Sequence, residues 1–177
     1  MYNKITTKQG DSGFSILRGK KVHKSSDIMQ FLGQLDIINS YIGICVSHKC
    51  SKKEELYQIQ NVLFDIGASF ADESITFNEK RTQALENWSE NLSEKLPELK
   101  TFILPGGAEV SSHIHVARSM VRHAESIFWK IHQESKSIKI NISIGIYLNR
   151  LSDFLFILAR YENNGNDVLW KQGFRDE

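Results

Sequence analysis

Apolar residues recur at three- and four-residue intervals along most of the chain after its first 26 residues. This is the spacing of one face of an α-helix, and no alternating strand pattern competes over more than a few residues. The pattern predicts five helices, over about residues 27–47, 51–70, 79–96, 108–134 and 140–162. The longer of these helices would measure roughly 30–40 Å, so an antiparallel bundle is the natural architecture.

The predicted helix ends carry recognisable signals. Ser51 to Glu54 has the sequence of a capping box, which predicts the start of the second helix. Pro97 ends the third helix, and Asn163-Asn164-Gly165 ends the fifth. We therefore predict one all-α domain over 1–177, with an irregular N-terminal arm (1–26), a five-helix antiparallel bundle (27–165) and a C-terminal tail (166–177).

Composition narrows the class of protein without naming a function. Lys and Arg number 22 against 21 Asp and Glu, and they are spread along the chain, so no nucleic-acid partner is indicated. The longest apolar run, residues 154–159, is too short to cross a bilayer, so no membrane partner is expected. Two cysteines, Cys45 and Cys50, fit a reducing compartment. With no secretory signal, we expect the cytoplasm, or an organelle matrix if a leader has been removed.

The fourth helix is predicted to carry two different seams. One is apolar and comprises Ile114, Ala117, Val121, Ala124, Phe128 and Ile131. The other is polar and comprises Ser111, His115, Arg118, Arg122 and Glu125. A polar seam is often only a solvated face, but its two long cationic side chains are both arginine. Guanidinium groups suit the recognition of carboxylates and phosphates, so a site for a small anion is the alternative.

The fifth helix places polar residues within an apolar run. Asn149, Arg150 and Asp153 lie among leucines, and buried polar groups need partners. Either they form an intrahelical Arg150–Asp153 pair with a packing role, or they belong to a site.

The N-terminal segment Thr6–Ser15 has exposed amides, hydroxyls and Lys8, which are the groups that hold phosphates. It departs from the Walker A spacing, and a disordered tail is the alternative. No metal-ligand motif accompanies it: Glu-x-x-His and His-Glu-x-x-His are absent from the sequence. The closely spaced histidines 113, 115 and 123 have no matching acids or cysteines, so no metal ligands are predicted.

Six segments, taken in order, resemble the ATP:cob(I)alamin adenosyltransferases of the propanediol-utilisation type. They are TKQGDSGFS (7–15), GQLDIINSYIG (33–43), FDIGASFA (64–71), FILPGG (102–107), HVARSMVRHAE (115–125) and NRLSDFLFILAR (149–160). A C-terminal DVLW (167–170) is similar to the family's closing segment.

The resemblance implies a ferritin-like five-helix bundle that assembles as a homotrimer, with active sites between subunits. It implies transfer of the 5′-deoxyadenosyl group of ATP, bound with Mg²⁺, to the cobalt of cob(I)alamin. A reductase and an adenosylcobalamin-dependent enzyme are the further partners that it suggests.

The resemblance also assigns roles to residues. Thr7, Lys8, Gly10 and Ser15 match the family's phosphate-binding loop, and Lys24 matches a further lysine near the phosphates. Arg122, Glu125 and Asn149 match nucleotide contacts. Asp36 and Arg118 match a pair that bridges subunits beside the corrin ring, and Phe102 matches the aromatic residue that closes its lower face.

Three positions on the first helix depart from the family pattern. An acid is replaced by Ile37, an arginine common in the family is replaced by Ile28, and Gln30 stands where a small residue or acid is usual. All three lie on the corrinoid and subunit side. Independently of these positions, a non-catalytic cobalamin carrier or sensor that keeps the fold is the alternative function, although a carrier would not need the ATP contacts.

Overall fold

The structure is a computed structural model that describes residues 8, 10–134 and 140–173. Five helices account for most of it: α1 Asp27–Ser47, α2 Lys53–Ala71, α3 Lys80–Ser93, α4 Glu109–Glu134 and α5 Ser143–Glu162. The predicted five-helix architecture is confirmed. Helix α4 packs against both α1 and α5, while α2 lies against α1 and α3 against α5. Helices α1, α4 and α5 therefore form the centre of the bundle.

The core follows the predicted apolar seams. All six residues of the α4 apolar seam are buried, and Phe128 lies between Phe31 of α1 and the start of α5. Gly145 permits the close approach of α5, since a Cβ atom at this position would lie 2.5 Å from Phe128 Cε1. A glycine thus sets the distance between the two helices that carry most of the predicted site.

The predicted capping box at Ser51 is wrong. Helix α2 begins at Lys53, its N-cap residue Lys52 makes no side-chain hydrogen bond, and Ser51 turns to a distant partner. The amide and hydroxyl of Ser51 donate to Glu162 Oε1 at 2.8 and 2.5 Å. Because that carboxylate comes from the end of α5, it ties the α1–α2 connection to the last turn of α5.

The N-terminal arm contains a β-hairpin, which the pattern of apolar residues does not predict. Strands β1 (Phe14–Leu17) and β2 (Lys20–His23) pair antiparallel. Arg18 and Gly19 form the turn with φ of 50° and 70°, the left-handed geometry that tight hairpins require. The prediction of a wholly irregular arm was therefore wrong for this part.

Arg18 also fixes the hairpin to the bundle. Its guanidinium donates to the carbonyl oxygens of Phe70 (2.9 Å) and Ser69 (2.7 Å) in the last turn of α2. It also pairs with Glu73 at 2.7 Å. One side chain thereby satisfies carbonyls that the end of a helix leaves unpaired.

The segment before α4 lies against the C-terminal segment. Ile103 forms an isolated antiparallel bridge with Leu169. The Leu104 amide donates to Val168 O and the Trp170 amide to Phe102 O, both at 2.8 Å. Among the described residues, no helix is long and apolar enough to cross a membrane.

Candidate functional site

The first part of the candidate site is the turn that precedes the hairpin. The Gly13 amide donates to Gly10 O (3.2 Å), and the Lys24 amide donates to Gly13 O (2.9 Å). A Cβ atom on Gly10 would lie only 2.6 Å from Lys24 Nζ, so the ammonium group lies directly over this glycine. The structure thus brings together two predicted phosphate-binding residues that are distant in sequence.

Two further predicted arm residues, Lys8 and Ser15, lie on either side of this turn in sequence. Lys8 is exposed and has a left-handed φ of 58°. Ser15 lies on β1 opposite Val22. Thr7 lies outside the described residues. The described part of the arm therefore offers exposed ammonium groups around a tight turn, a setting that favours an anion.

A second part of the site joins α4 to α5. Asn149 Nδ2 donates to Glu125 Oε1 at 3.3 Å, and Trp129 Nε1 donates to the same oxygen at 3.3 Å. Asn149 Oδ1 in turn accepts from Arg150 Nη1 at 3.0 Å. The amide of Asn149 is therefore held in one orientation, with its nitrogen towards the carboxylate and its oxygen towards the guanidinium.

Arg150 holds the Asn149 side chain of the Glu125–Asn149 pair and is itself held by carboxylates. Its Nε donates to Glu86 of α3 at 3.0 Å, and Nη1 lies 3.4 Å from Asp153. The Arg150–Asp153 pair considered from the sequence is thus present, but the carboxylate closer to Arg150 is that of Glu86, on α3. Sequence reasoning missed Glu86 and also Trp129, although the four-residue spacing of Trp129 from Glu125 places the two on one helix face.

The two arginines of the polar seam differ in their surroundings. Arg118 is half-buried, and its guanidinium lies 5.2 Å from the ring centroid of Phe156. Burial lowers the pKa of Arg118, and the nearby charge of Arg122 lowers it further. Arg122 itself is exposed one turn along the helix. Two positive charges that repel each other would both be stabilised by a polyanion placed between or beside them.

The third part is an open groove of about 540 Å³ between α1 and α4. It is lined by Gln34, Ile37, Pro105, Ser112, His115, Val116, Ser119, Met120 and His123. His115 is buried, and within the described part of the chain its Nδ1 has no hydrogen-bond partner. Burial lowers the pKa of this imidazole, so the neutral form is favoured. The groove is largely apolar with a few hydroxyl and imidazole groups, which suits a large, mostly apolar ligand.

Asp36 and Phe102 lie on exposed parts of the surface. Asp36 is exposed on α1, and no ion pair joins it to Arg118 within the described chain. Phe102 is 76% exposed, and its ring makes an edge-on contact with Trp170 at 6.0 Å. Phe102 therefore lies at the surface, with Trp170 as its aromatic neighbour.

A larger cavity of about 730 Å³ lies near the end of α2 and the start of α5. Its lining includes Arg18, Phe77 and His132. Neither this cavity nor the α1–α4 groove is lined by a predicted site residue, but the groove is lined by Ile37 and Ser119, the sequence neighbours of Asp36 and Arg118. We therefore place the candidate site at the arm, the Glu125–Asn149 pair and the α1–α4 groove.

Comparison with known proteins identifies one family of relatives. The sequence profile of the cobalamin adenosyltransferase family matches residues 5–162. A corrinoid adenosyltransferase of Mycobacterium leprae is 34% identical, over 96% of each chain. The Bacillus subtilis corrinoid adenosyltransferase is 35% identical, over 90% of this chain and 86% of its own length.

Solved structures agree with the sequence relatives. A variant PduO-type ATP:corrinoid adenosyltransferase from Lactobacillus reuteri, complexed with cobalamin and ATP, superposes with a TM-score of 0.88. It is 34% identical, and the match covers 96% of this chain and 100% of that one. A second variant of the L. reuteri enzyme, complexed with ATP, gives 0.86 at 35% identity, with 94% of this chain and 100% of that one covered. The chain belongs to the cobalamin adenosyltransferase family.

Proposed function

We propose that this protein transfers the 5′-deoxyadenosyl group of ATP to the cobalt of cob(I)alamin, giving adenosylcobalamin and triphosphate. Family membership and the similarity to enzymes complexed with cobalamin and ATP support this reaction. The observation in this chain that carries the proposal is the position of the Lys24 ammonium group over Gly10, an arrangement that would hold a phosphate group.

The reaction is a displacement at carbon. The electron pair of Co(I) forms the Co–C bond to C5′, the C5′–O bond breaks, and triphosphate leaves with the electrons of that bond. Cob(I)alamin is already a strong nucleophile, so the protein has to orient the two substrates and stabilise the leaving group. Negative charge grows on the triphosphate as the bond breaks.

The phosphates are assigned to the arm and to α4. Lys8, Lys24 and the turn at Gly10 would hold the triphosphate, together with Thr7 and Ser15. Arg122, which is exposed, would contact the same anion, and its attraction would strengthen as charge develops. This assignment explains why an arginine would be kept beside another arginine despite their repulsion.

Magnesium would arrive with the nucleotide. The described arm presents ammonium groups near Gly10 rather than a cluster of carboxylates, which fits an ion held chiefly by the phosphates of ATP. Bound in this way, Mg²⁺ would neutralise part of the charge of the leaving triphosphate.

The nucleoside is assigned to Glu125 and Asn149. Their side chains are held in place by Trp129 and Arg150, so they would contact the adenosyl group without first having to reorient. A carboxylate and an amide together accept and donate hydrogen bonds, which suits the hydroxyl and amine groups of adenosine.

The corrinoid is assigned to the α1–α4 groove and to Phe102. An apolar ring beneath the cobalt would displace its lower ligand and so make the cobalt easier to reduce. Asp36 of one subunit would pair with Arg118 of a neighbour in a homotrimer. Asp36 is exposed, Arg118 is half-buried, and the two are not paired with each other within the described part of one chain, which supports an intersubunit contact.

We further propose that the protein works in the cytoplasm, where a reductase would supply Co(I) and an adenosylcobalamin-dependent enzyme would receive the product. Its two cysteines are free and buried, as expected of a reducing compartment.

The decisive experiment is a spectroscopic assay under reducing, anaerobic conditions. Protein, MgATP and cob(I)alamin should yield the absorbance of adenosylcobalamin, with triphosphate as the second product. Tight corrinoid binding without turnover would instead identify a carrier or sensor. No binding of either substrate would reject both functions.

A further inference from the structure

Two histidines and a glutamate meet at the end of the bundle where α1 finishes and α4 begins. His48 is the C-cap residue of α1, Glu109 is the first residue of α4, and His113 follows one turn later. His48 Nδ1 lies 3.5 Å from Glu109 Oε2. The rings of His48 and His113 have centroids 4.8 Å apart and are tilted by 35°.

The three side chains have the composition of a metal site. One ligand atom from each lies within 4.8 Å of the others. Two imidazole nitrogens and one carboxylate oxygen are a ligand set of Zn²⁺ sites that keep a fourth position for water. Imidazole also suits other first-row divalent ions, whereas Mg²⁺ prefers oxygen ligands.

The three ligand atoms would need to move only a little to reach the spacing of a tetrahedral metal site. Bonds of about 2.0–2.1 Å in a tetrahedral site place neighbouring ligand atoms about 3.3 Å apart. The His48–Glu109 distance is already close to this value. The side chains of His48 and Glu109 are 34% and 74% exposed. They can therefore change rotamer to approach the ligand nitrogen of His113 without a movement of the backbone.

The local electrostatics do not oppose a cation. His48 follows the C-terminus of α1, the negative end of the helix dipole, which attracts positive charge. Glu109 and His113 lie in the first turns of α4, whose dipole acts in the opposite direction, but Glu109 supplies a full negative charge there.

We propose that His48, Glu109 and His113 bind one divalent transition-metal ion, such as Zn²⁺, and so cross-link α1 to α4. The site uses none of the residues assigned to ATP or the corrinoid, and it stands whether or not the proposed reaction is correct. Its effect would be structural, because α4 starts directly after the Pro105–Gly107 turn. There Ser111 Oγ donates to Gly106 O at 3.1 Å, so fixing the start of α4 also fixes the turn that leads to Phe102.

Sequence spacing gave no sign of this site. Glu109 and His113 are four residues apart and share a helix face. An acid and a histidine at this spacing on an exposed helix are not specific enough to predict a metal site. The third ligand, His48, becomes visible only when α1 and α4 are packed together.

The test uses the full chain without a polyhistidine tag, freed of metal by a chelator and then titrated with Co²⁺. We expect one Co²⁺ per chain with the visible absorption of tetrahedral cobalt, displaced by Zn²⁺ but not by Mg²⁺. Zn²⁺ at one hundred times its dissociation constant should raise the melting temperature by about 5–10 °C.

Variants make the assignment specific. His48→Ala and His113→Ala should each weaken binding at least tenfold and abolish the Zn²⁺-dependent rise in melting temperature. Glu109→Gln should weaken binding while both histidines remain. His123→Ala is the matched control, since His123 is exposed on the same helix but outside the cluster. Equal metal binding by wild type, His48→Ala and His113→Ala, or no binding by the wild type, would overturn the proposal.

Discussion

The guanidinium of Arg160 and the carboxylate of Asp167 lie 2.7 Å apart, with their side chains only 9% and 6% exposed. Arg160 Nη2 also donates to Pro97 O at 2.9 Å. One buried arginine therefore joins the end of α5, the segment after α3 and the C-terminal segment. Because that C-terminal segment pairs with Phe102 and Leu104, the ion pair helps to hold the exposed aromatic residue in place.

Asp167→Ala should therefore lower the free energy of unfolding by about 3–5 kcal/mol, because it leaves a buried guanidinium without its partner. Urea denaturation followed by circular dichroism measures this change. Asp27→Ala is the control: it removes a more exposed pair with Lys130 (3.0 Å), and we expect a loss below about 1 kcal/mol. Equal losses in the free energy of unfolding of the two variants would contradict the prediction that the buried Arg160–Asp167 pair stabilises the fold more than the exposed pair.

Arg122 is expected to act on the leaving triphosphate. Arg122→Ala should reduce turnover by roughly a hundredfold, or about 3 kcal/mol, at saturating ATP, with little change in corrinoid affinity. Arg122→Lys should recover only part of this loss, because lysine keeps the charge but lacks the planar fork. Lys130→Ala, another cation of α4, should turn over normally. If Arg122→Ala matched the wild type, Arg122 would be a solvated surface residue.

Asp36 is expected to serve the corrinoid side and the subunit interface. Asp36→Asn should weaken corrinoid binding more than ATP binding, as measured by titration of each substrate. Ser40→Ala is a suitable control, because within the described chain the hydroxyl of this exposed α1 residue donates only to the backbone carbonyl oxygen of Asp36, at 3.0 Å. The accompanying prediction is a trimer in sedimentation. A stable and fully active monomer would exclude the intersubunit pair.

The turn around Gly10 is expected to respond to nucleotide. Amide hydrogen exchange from Gly10 to Ser12 should slow when MgATP is added, since phosphate oxygens would accept hydrogen bonds from amides of this turn. The β1–β2 amides should change less, because the hairpin is already paired. Amides of α2 provide the internal reference. Unchanged exchange at saturating MgATP would argue against this turn as the phosphate site.

Gly145 is expected to be required for close packing of α4 and α5. Gly145→Ala should cost about 1–3 kcal/mol, because its Cβ would meet the Phe128 ring at 2.5 Å. Gly33→Ala is the matched control within a helix, since nothing lies within 4 Å of its Cβ. Alanine there should stabilise α1 by roughly 0.5–1 kcal/mol. Thermal denaturation of both variants compares the two effects directly.

The sequence predicted those features that depend on periodicity within one element. The apolar seam of α4, for example, is buried as a whole, because a regular helix turns every third or fourth residue to the same side. Glu125 and Asn149 were each proposed from the resemblance, and the structure places their side chains in contact.

The features that were missed depend on contacts between distant parts of the chain. The Ser51 capping signal failed because Glu162, from another helix, accepts the hydrogen bonds of Ser51. A tertiary partner such as Glu162 cannot be read from local spacing. The hairpin is a local feature and escaped notice for another reason: its strands have only four residues each, and β2 carries two lysines and a histidine in place of a clear apolar face.

The attachment of Arg18 to the end of α2 has a consequence for the entropy of ligand binding. Ordering a residue's backbone costs roughly 1–2 kcal/mol, and a ligand that orders a loop must supply this free energy from its own contacts. The hairpin from Phe14 to His23 is ordered beforehand by strand pairing and by the three partners of Arg18. An anion that binds beside this hairpin does not have to order it, so a greater share of the binding free energy remains available for affinity.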